Sequence, residues 1–174
     1  ADVLVPIAGG ASRVHGDRVK STLMLAGRND SIVKYDGERV RFDQMNSTPR
    51  RFAAIDSLGH LFCTDYCWLG AREGGLVQIA LDHGIWPAAL FKRLGQDGCE
   101  YMNSRTGSHY LNPRCGWQFV NYASTAAFEE VLRCESRMRK RLRTMRTKMP
   151  IPQGCPAELV FEVVEHLDAE LVIV

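Results

Sequence analysis

The sequence predicts an α+β fold in one domain spanning residues 1–174. A β-hairpin-rich N-terminal two-thirds precedes a long basic C-terminal helix, a second short helix and a terminal strand. Three observations carry this. Glycine and Asp-Gly turn signals punctuate short apolar stretches up to residue 62, with no helical period among them. From Phe128 to Met149 apolar residues recur at seam spacing instead. An apolar share of 45% with 24% charged residues is the composition of a chain that folds around a core. The expected division is a β-rich part at 1–123 and a helical part at 124–174.

Residues 2–7 read as a first strand closed by Gly9-Gly10, and residues 22–25 as a second. Residues 32–35 and 39–42 flank Asp36-Gly37, a two-residue hairpin signal. A second hairpin is expected from residues 51–55, through 57–59, to 60–62. Residues 67–81 place Trp68, Ala71, Val77 and Leu81 roughly on one helical face, although Gly74-Gly75 weakens a helix there. Residues 85–91, 110–111 and 117–122 read as extended, with Asn112-Pro113 and Cys115-Gly116 marking a tight connection. Ser124 or Thr125 can cap the basic helix, Glu129 and Glu130 suit its first turn, and Pro150 stops it. Residues 157–167 read as the short second helix and 171–174 as the terminal strand.

The net charge of +2 hides an asymmetry. Eight basic residues and one acid lie between Arg133 and Lys148, so that window carries +7 and the remainder −5. No apolar run reaches the roughly 18–20 residues that cross a bilayer, and no membrane partner is expected. The N-terminal segment lacks a basic region followed by an apolar stretch, which points to the cytoplasm. Six cysteines in 174 residues fall well below the density of a disulfide scaffold. Mostly reduced thiols are therefore expected.

Cys67, His109 and Asn121 form the sharpest chemical constellation. A thiol peptidase pairs a thiolate with an imidazole and uses a third group to hold the ring. A hairpin through residues 112–116 would put His109 and Asn121 on adjacent strands. At Tyr66-Cys67-Trp68-Leu69-Gly70-Ala71, and loosely at Gly107-Ser108-His109-Tyr110, the sequence resembles the papain-like leader proteinases of positive-strand RNA viruses. The resemblance implies Cys67 as nucleophile at a helix start, His109 on a later strand and Asn121 beside it. It also implies a polypeptide substrate, the protein's own precursor included. Leu61-Phe62-Cys63-Thr64 offers no Gln or Asn for an oxyanion hole. Structurally, a Cys-Trp pair is more often plain core packing than a catalytic pair.

Metal binding draws on the same region, with Cys63 and Cys67 spaced as one ligand pair and Cys99, His109 and Cys115 as others. The spacings match no common zinc finger, so neither metal nor cofactor is expected. The alternative to an enzyme is a nucleic-acid-binding or viral assembly protein acting through Arg137, Arg139, Lys140, Arg141, Arg143, Arg146 and Lys148. These surround the seam of Met138, Leu142 and Met145, where guanidinium groups could meet the phosphates of RNA or another polyanion. Two smaller likenesses remain. Residues 3–13 are similar to the phosphate-binding start of nucleotidyltransferases, and residues 86–96 to a hairpin of the fibroblast growth factor β-trefoil.

Overall fold

The computed structural model describes residues 2–9, 19–46, 49–66, 69, 76–85, 89, 111–167 and 170–173. The fold is α+β, built on one mixed five-stranded sheet in the order β1-β2-β3-β4-β5. The strands are β1 (Val3–Leu4), β2 (Ser21–Gly27), β3 (Arg50–Ile55), β4 (Val160–Leu167) and β5 (Glu170–Ile173). The helices are α1 (Tyr35–Asp43), α2 (Leu76–Asp82), α3 (Pro113–Leu132), α4 (Arg137–Arg143) and α5 (Met145–Lys148), with a 3-10 turn at His60–Cys63. β1, β2 and β3 run parallel, while β4 is antiparallel to β3 and β5 to β4.

The parallel pairing displaces the expected hairpins. Parallel neighbours need a crossover rather than a tight turn, and residues 28–49 supply one. Asp36 and Gly37 lie in the first turn of α1 instead of a hairpin, and Asp36 and Glu38 place negative charge at its amino end. β3 already has β2 and β4 as partners, so residues 60–62 cannot pair with it and wind into the 3-10 turn. The stretch 117–122, expected extended, belongs to α3. Asn112 caps that helix, its Oδ1 accepting the Arg114 N–H at 2.9 Å, and Pro113 takes the first helical position.

The basic helix expected over 128–149 is divided. α3 ends at Leu132, Cys134 takes a left-handed conformation (φ 56°), and α4 starts at Arg137. Its seam survives: Met138, Leu142, Met145 and Met149 are all buried. The second helix expected over 157–167 is strand β4. Its register slips at Phe161, since Ala54 faces Glu162 while Ile55 faces Val160. That bulge brings Val160 and Val163 to one face and imitates a helical spacing. The terminal strand is present as β5. The C-terminal part thus contributes two strands to the sheet, and the helical part begins at Pro113 rather than 124.

Both faces of the sheet are covered. Leu23, Leu25, Ala53, Ile55 and Val163 pack against Phe119, Ala123, Ala127, Leu142 and Met145 of α3–α5. On the other face Met24, Ala26, Phe52, Ala54 and Val164 pack with Phe42 of α1 and Met45. β2 is buried at every position, and its run Leu23-Met24-Leu25-Ala26 is the apolar stretch expected of a strand covered on both faces. Gly116 lets α3 sit on the 3-10 turn, because a Cβ there would lie 2.5 Å from the Phe62 carbonyl oxygen. Cys115 in the first turn of α3 is bonded to Cys155 in the loop before β4. That bond departs from the reduced-thiol expectation: the fold brings these Cα atoms to 5.9 Å, within disulfide reach. Cys63 and Cys134 are free.

Candidate functional site

Cys67 and His109 lie outside the described residues. Asn121 is exposed on α3, so the hairpin expected to set it beside His109 is replaced by helix. Cys63 is half-buried, and burial pushes its thiol pKa up, with the Asp30 carboxylate adding to the effect. Its protonated form is favoured, the opposite of what an activated nucleophile needs. Among the described residues no cluster of three or more His, Cys, Asp or Glu could hold a metal ion.

The arginine-rich segment is more informative. β3 carries Arg51 on its α3-facing side, directly opposite Glu165 of β4. Both side chains are 1% exposed, and Arg51 Nε donates to Glu165 Oε1 at 2.6 Å. Glu130 comes in from α3. Arg51 Nη2 donates to its Oε1 at 3.0 Å, and Nη1 lies 2.8 Å from its Oε2. The chain then extends outward at both ends. Arg139 Nε donates to Glu130 Oε1 at 2.9 Å, and Arg143 Nε to Glu165 Oε2. The result is an alternating series, Arg139–Glu130–Arg51–Glu165–Arg143, running through the interface between helices and sheet.

This series revises the picture of seven uncompensated cations. Arg139 and Arg143 dock α4 rather than standing free of the fold. Arg141 lies with its guanidinium carbon 4.0 Å from the Tyr122 ring centroid, a cation–π contact. Arg137 and Arg133 make pairs with Glu135 and Glu129, but both stay about three-quarters exposed at 75% and 74%, and such pairs contribute little. Lys140, Arg146 and Lys148 are exposed and have no ion-pair partner among the described residues. The exposed cations of the segment that engage no buried carboxylate are therefore Arg133, Arg137, Lys140, Arg146 and Lys148.

Sequence reasoning passed over Arg51 and Glu165, although a signal was present. Arg51 precedes Phe52-Ala53-Ala54-Ile55, and Glu165 follows Val163-Val164. A charged residue inside a buried strand requires an opposite charge beside it.

A second polar region lies outside the carboxyl ends of β1, β2 and β3, the place where open parallel sheets receive ligands. Asp30 is buried in the β2–α1 loop. Its Oδ1 accepts the Ile32 and Val33 N–H groups at 2.8 and 2.7 Å, and its Oδ2 meets His60 Nδ1 at 2.8 Å. Glu38 of α1 is wholly buried nearby, and neither carboxylate oxygen has a hydrogen-bond partner. Burial, with Asp30 second, raises its pKa to about 7. Beside this cluster a cleft of about 530 Å³ opens between the loop and the start of β4, lined by Arg28, Asn29, Lys34, Asp36 and Phe161 among others. The Arg28 guanidinium covers the Phe161 ring at 3.8 Å.

No protein-family model, curated protein or solved structure matches this chain. Among the described residues no helix is long and apolar enough to cross a membrane.

Proposed function

We propose that this protein binds a polyanion, RNA in the first instance, through the solvent-facing cations of the α3–α5 segment. The observation that carries the reading is the division of labour among its basic residues. Arg139 ties α4 to Glu130 of α3 and Arg143 ties it to Glu165 of the sheet, and this leaves Lys140, Arg146 and Lys148 exposed on an anchored segment. A cation held without an ion-pair partner on an anchored helix loses little conformational freedom when it meets a phosphate. The contacts available are electrostatic and read no base sequence.

The test is the salt dependence of binding to a single-stranded RNA oligonucleotide. Reversal of Lys140, Arg146 and Lys148 to Glu should weaken binding. It should also flatten the slope of log affinity against log salt by about 2, since each phosphate contact contributes about 0.7 on single strands. An unchanged slope would remove the segment from the interface. The peptidase reading rests on the sequence alone and is tested separately: Cys67→Ala and His109→Ala should each abolish self-cleavage of a longer precursor.

A further inference from the structure

We propose that Glu38 is a pH-responsive latch: neutral, it lets Gly9, the β2–α1 loop around Asp30 and the 3-10 turn at His60 pack together, and ionised, it loosens them. The side chain is fully buried on α1 and both of its oxygens lack a hydrogen-bond partner. A buried carboxylate in that condition has too little to offset its lost hydration, whereas a carboxylic acid tolerates the site far better.

The groups around it come from every neighbouring connection. Asp30, from the β2–α1 loop, is the nearest like charge, and Arg41 of α1 itself, the Gly9 backbone N–H after β1, and His60 of the 3-10 turn favour the carboxylate. Burial and Asp30 outweigh these three. Two further cations on that face are engaged elsewhere. Arg39 pairs with Asp43 and Glu162, and Arg50 donates to the Met45 carbonyl beside His166.

Ionising Glu38 puts a second negative charge beside Asp30. Asp30 holds the β2–α1 loop through the Ile32 and Val33 N–H groups and reaches the 3-10 turn through His60. Repulsion at Glu38 therefore acts on the residue that ties two connections together. The floor of the cleft next to Arg28 and Lys34 includes Asp30, so the same event alters that cleft. The sign follows from the raised pKa. The folded form keeps its proton up to about pH 7, while the opened form releases it near the ordinary glutamate value. Opening is thus increasingly favoured as pH rises between those limits and levels off above.

The experiment uses the full chain and its Glu38→Gln variant. Carbon-13 NMR of the glutamate carboxyl carbons should show one resonance titrating close to pH 7 that is missing from E38Q. Amide exchange at Ile32, Val33 and Phe62, corrected for the intrinsic rate, should report an opening constant that rises by up to about tenfold per pH unit between pH 5 and 7. In E38Q it should stay flat. A Glu38 resonance titrating at the ordinary glutamate position overturns the proposal, and this needs only the wild-type protein. So does an E38Q variant that keeps the wild-type pH response, which would assign the effect to His60.

Discussion

The fold buries carboxylates in two ways, on opposite faces of one sheet. Against α3 and α4, Glu130 and Glu165 are each held between two arginines, with Arg51 common to both. Under α1, Glu38 has a neighbouring aspartate and no partner for either oxygen. The first arrangement sets each carboxylate against guanidinium groups; the second has no such pair, and burial there favours the protonated form. A buried carboxylate is costly unless it is paired, and the two faces meet that cost differently. What differs is whether the surrounding elements supply donors, and the arginine-rich segment does so only on its own side.

The comparison can be broken most directly at Arg51. Arg51→Leu would strand Glu130 and Glu165 in the interface, and a loss of about 3–5 kcal/mol is expected from urea denaturation, as when one partner of a buried pair is removed. A loss below about 1 kcal/mol would mean that Arg139 and Arg143 suffice alone. Cys155→Ala asks whether the ionic series or the cross-link holds α3 in place. Opening a bond between positions 40 residues apart should cost about 2–4 kcal/mol, read as a lower melting temperature under non-reducing conditions.

Glu38→Gln tests the other side, and its sign depends on pH. Because the folded-state pKa lies above the ordinary value, the wild type loses stability as pH rises from about 4.5 towards 7. The variant should therefore unfold at higher denaturant than wild type at pH 8, and alike near pH 4. The smallest effect is expected at the surface: Lys140→Ala should change stability by no more than about 0.5 kcal/mol while weakening RNA binding. A larger destabilisation would give Lys140 a structural role like that of Arg139.

Legibility in the sequence followed the range of the interactions. The α+β class, the burial of the Met138–Leu142–Met145 seam and the strands near residues 22–25 and 51–55 could be read, because each depends on apolar periodicity within a few residues. The β4 strand was hidden by its bulge at Phe161, which gives Val160, Val163 and Val164 the spacing of a helix. The hairpins at Asp36-Gly37 and 57–59 failed for a different reason. A turn signal is local, but a strand's partner is chosen across the whole sheet, and β2 and β3 found each other in parallel. The helix across 113–132 was divided between an extended stretch and a later cap, although Asn112-Pro113 is itself a helix-start signal. For the site, local charge counting found the arginines. It could not show that two of them are answered by Glu130 and by Glu165, which is 22 positions beyond Arg143.

The pairing of β3 with β4 has a consequence for how the chain acquires its structure. Arg51 and Glu165 are separated by 114 positions, and β4 also carries β5. During synthesis, β1, β2 and β3 leave the ribosome long before the strand that closes the free edge of β3. Non-local closure of this kind is slow, and an open strand edge invites pairing with other chains in the interval. Arg50 and Arg51 stand at the beginning of that edge, where two adjacent positive charges repel another copy until Glu165 arrives. Arg51, the anchor of the finished interface, is thus one of the charges this edge carries before β4 arrives.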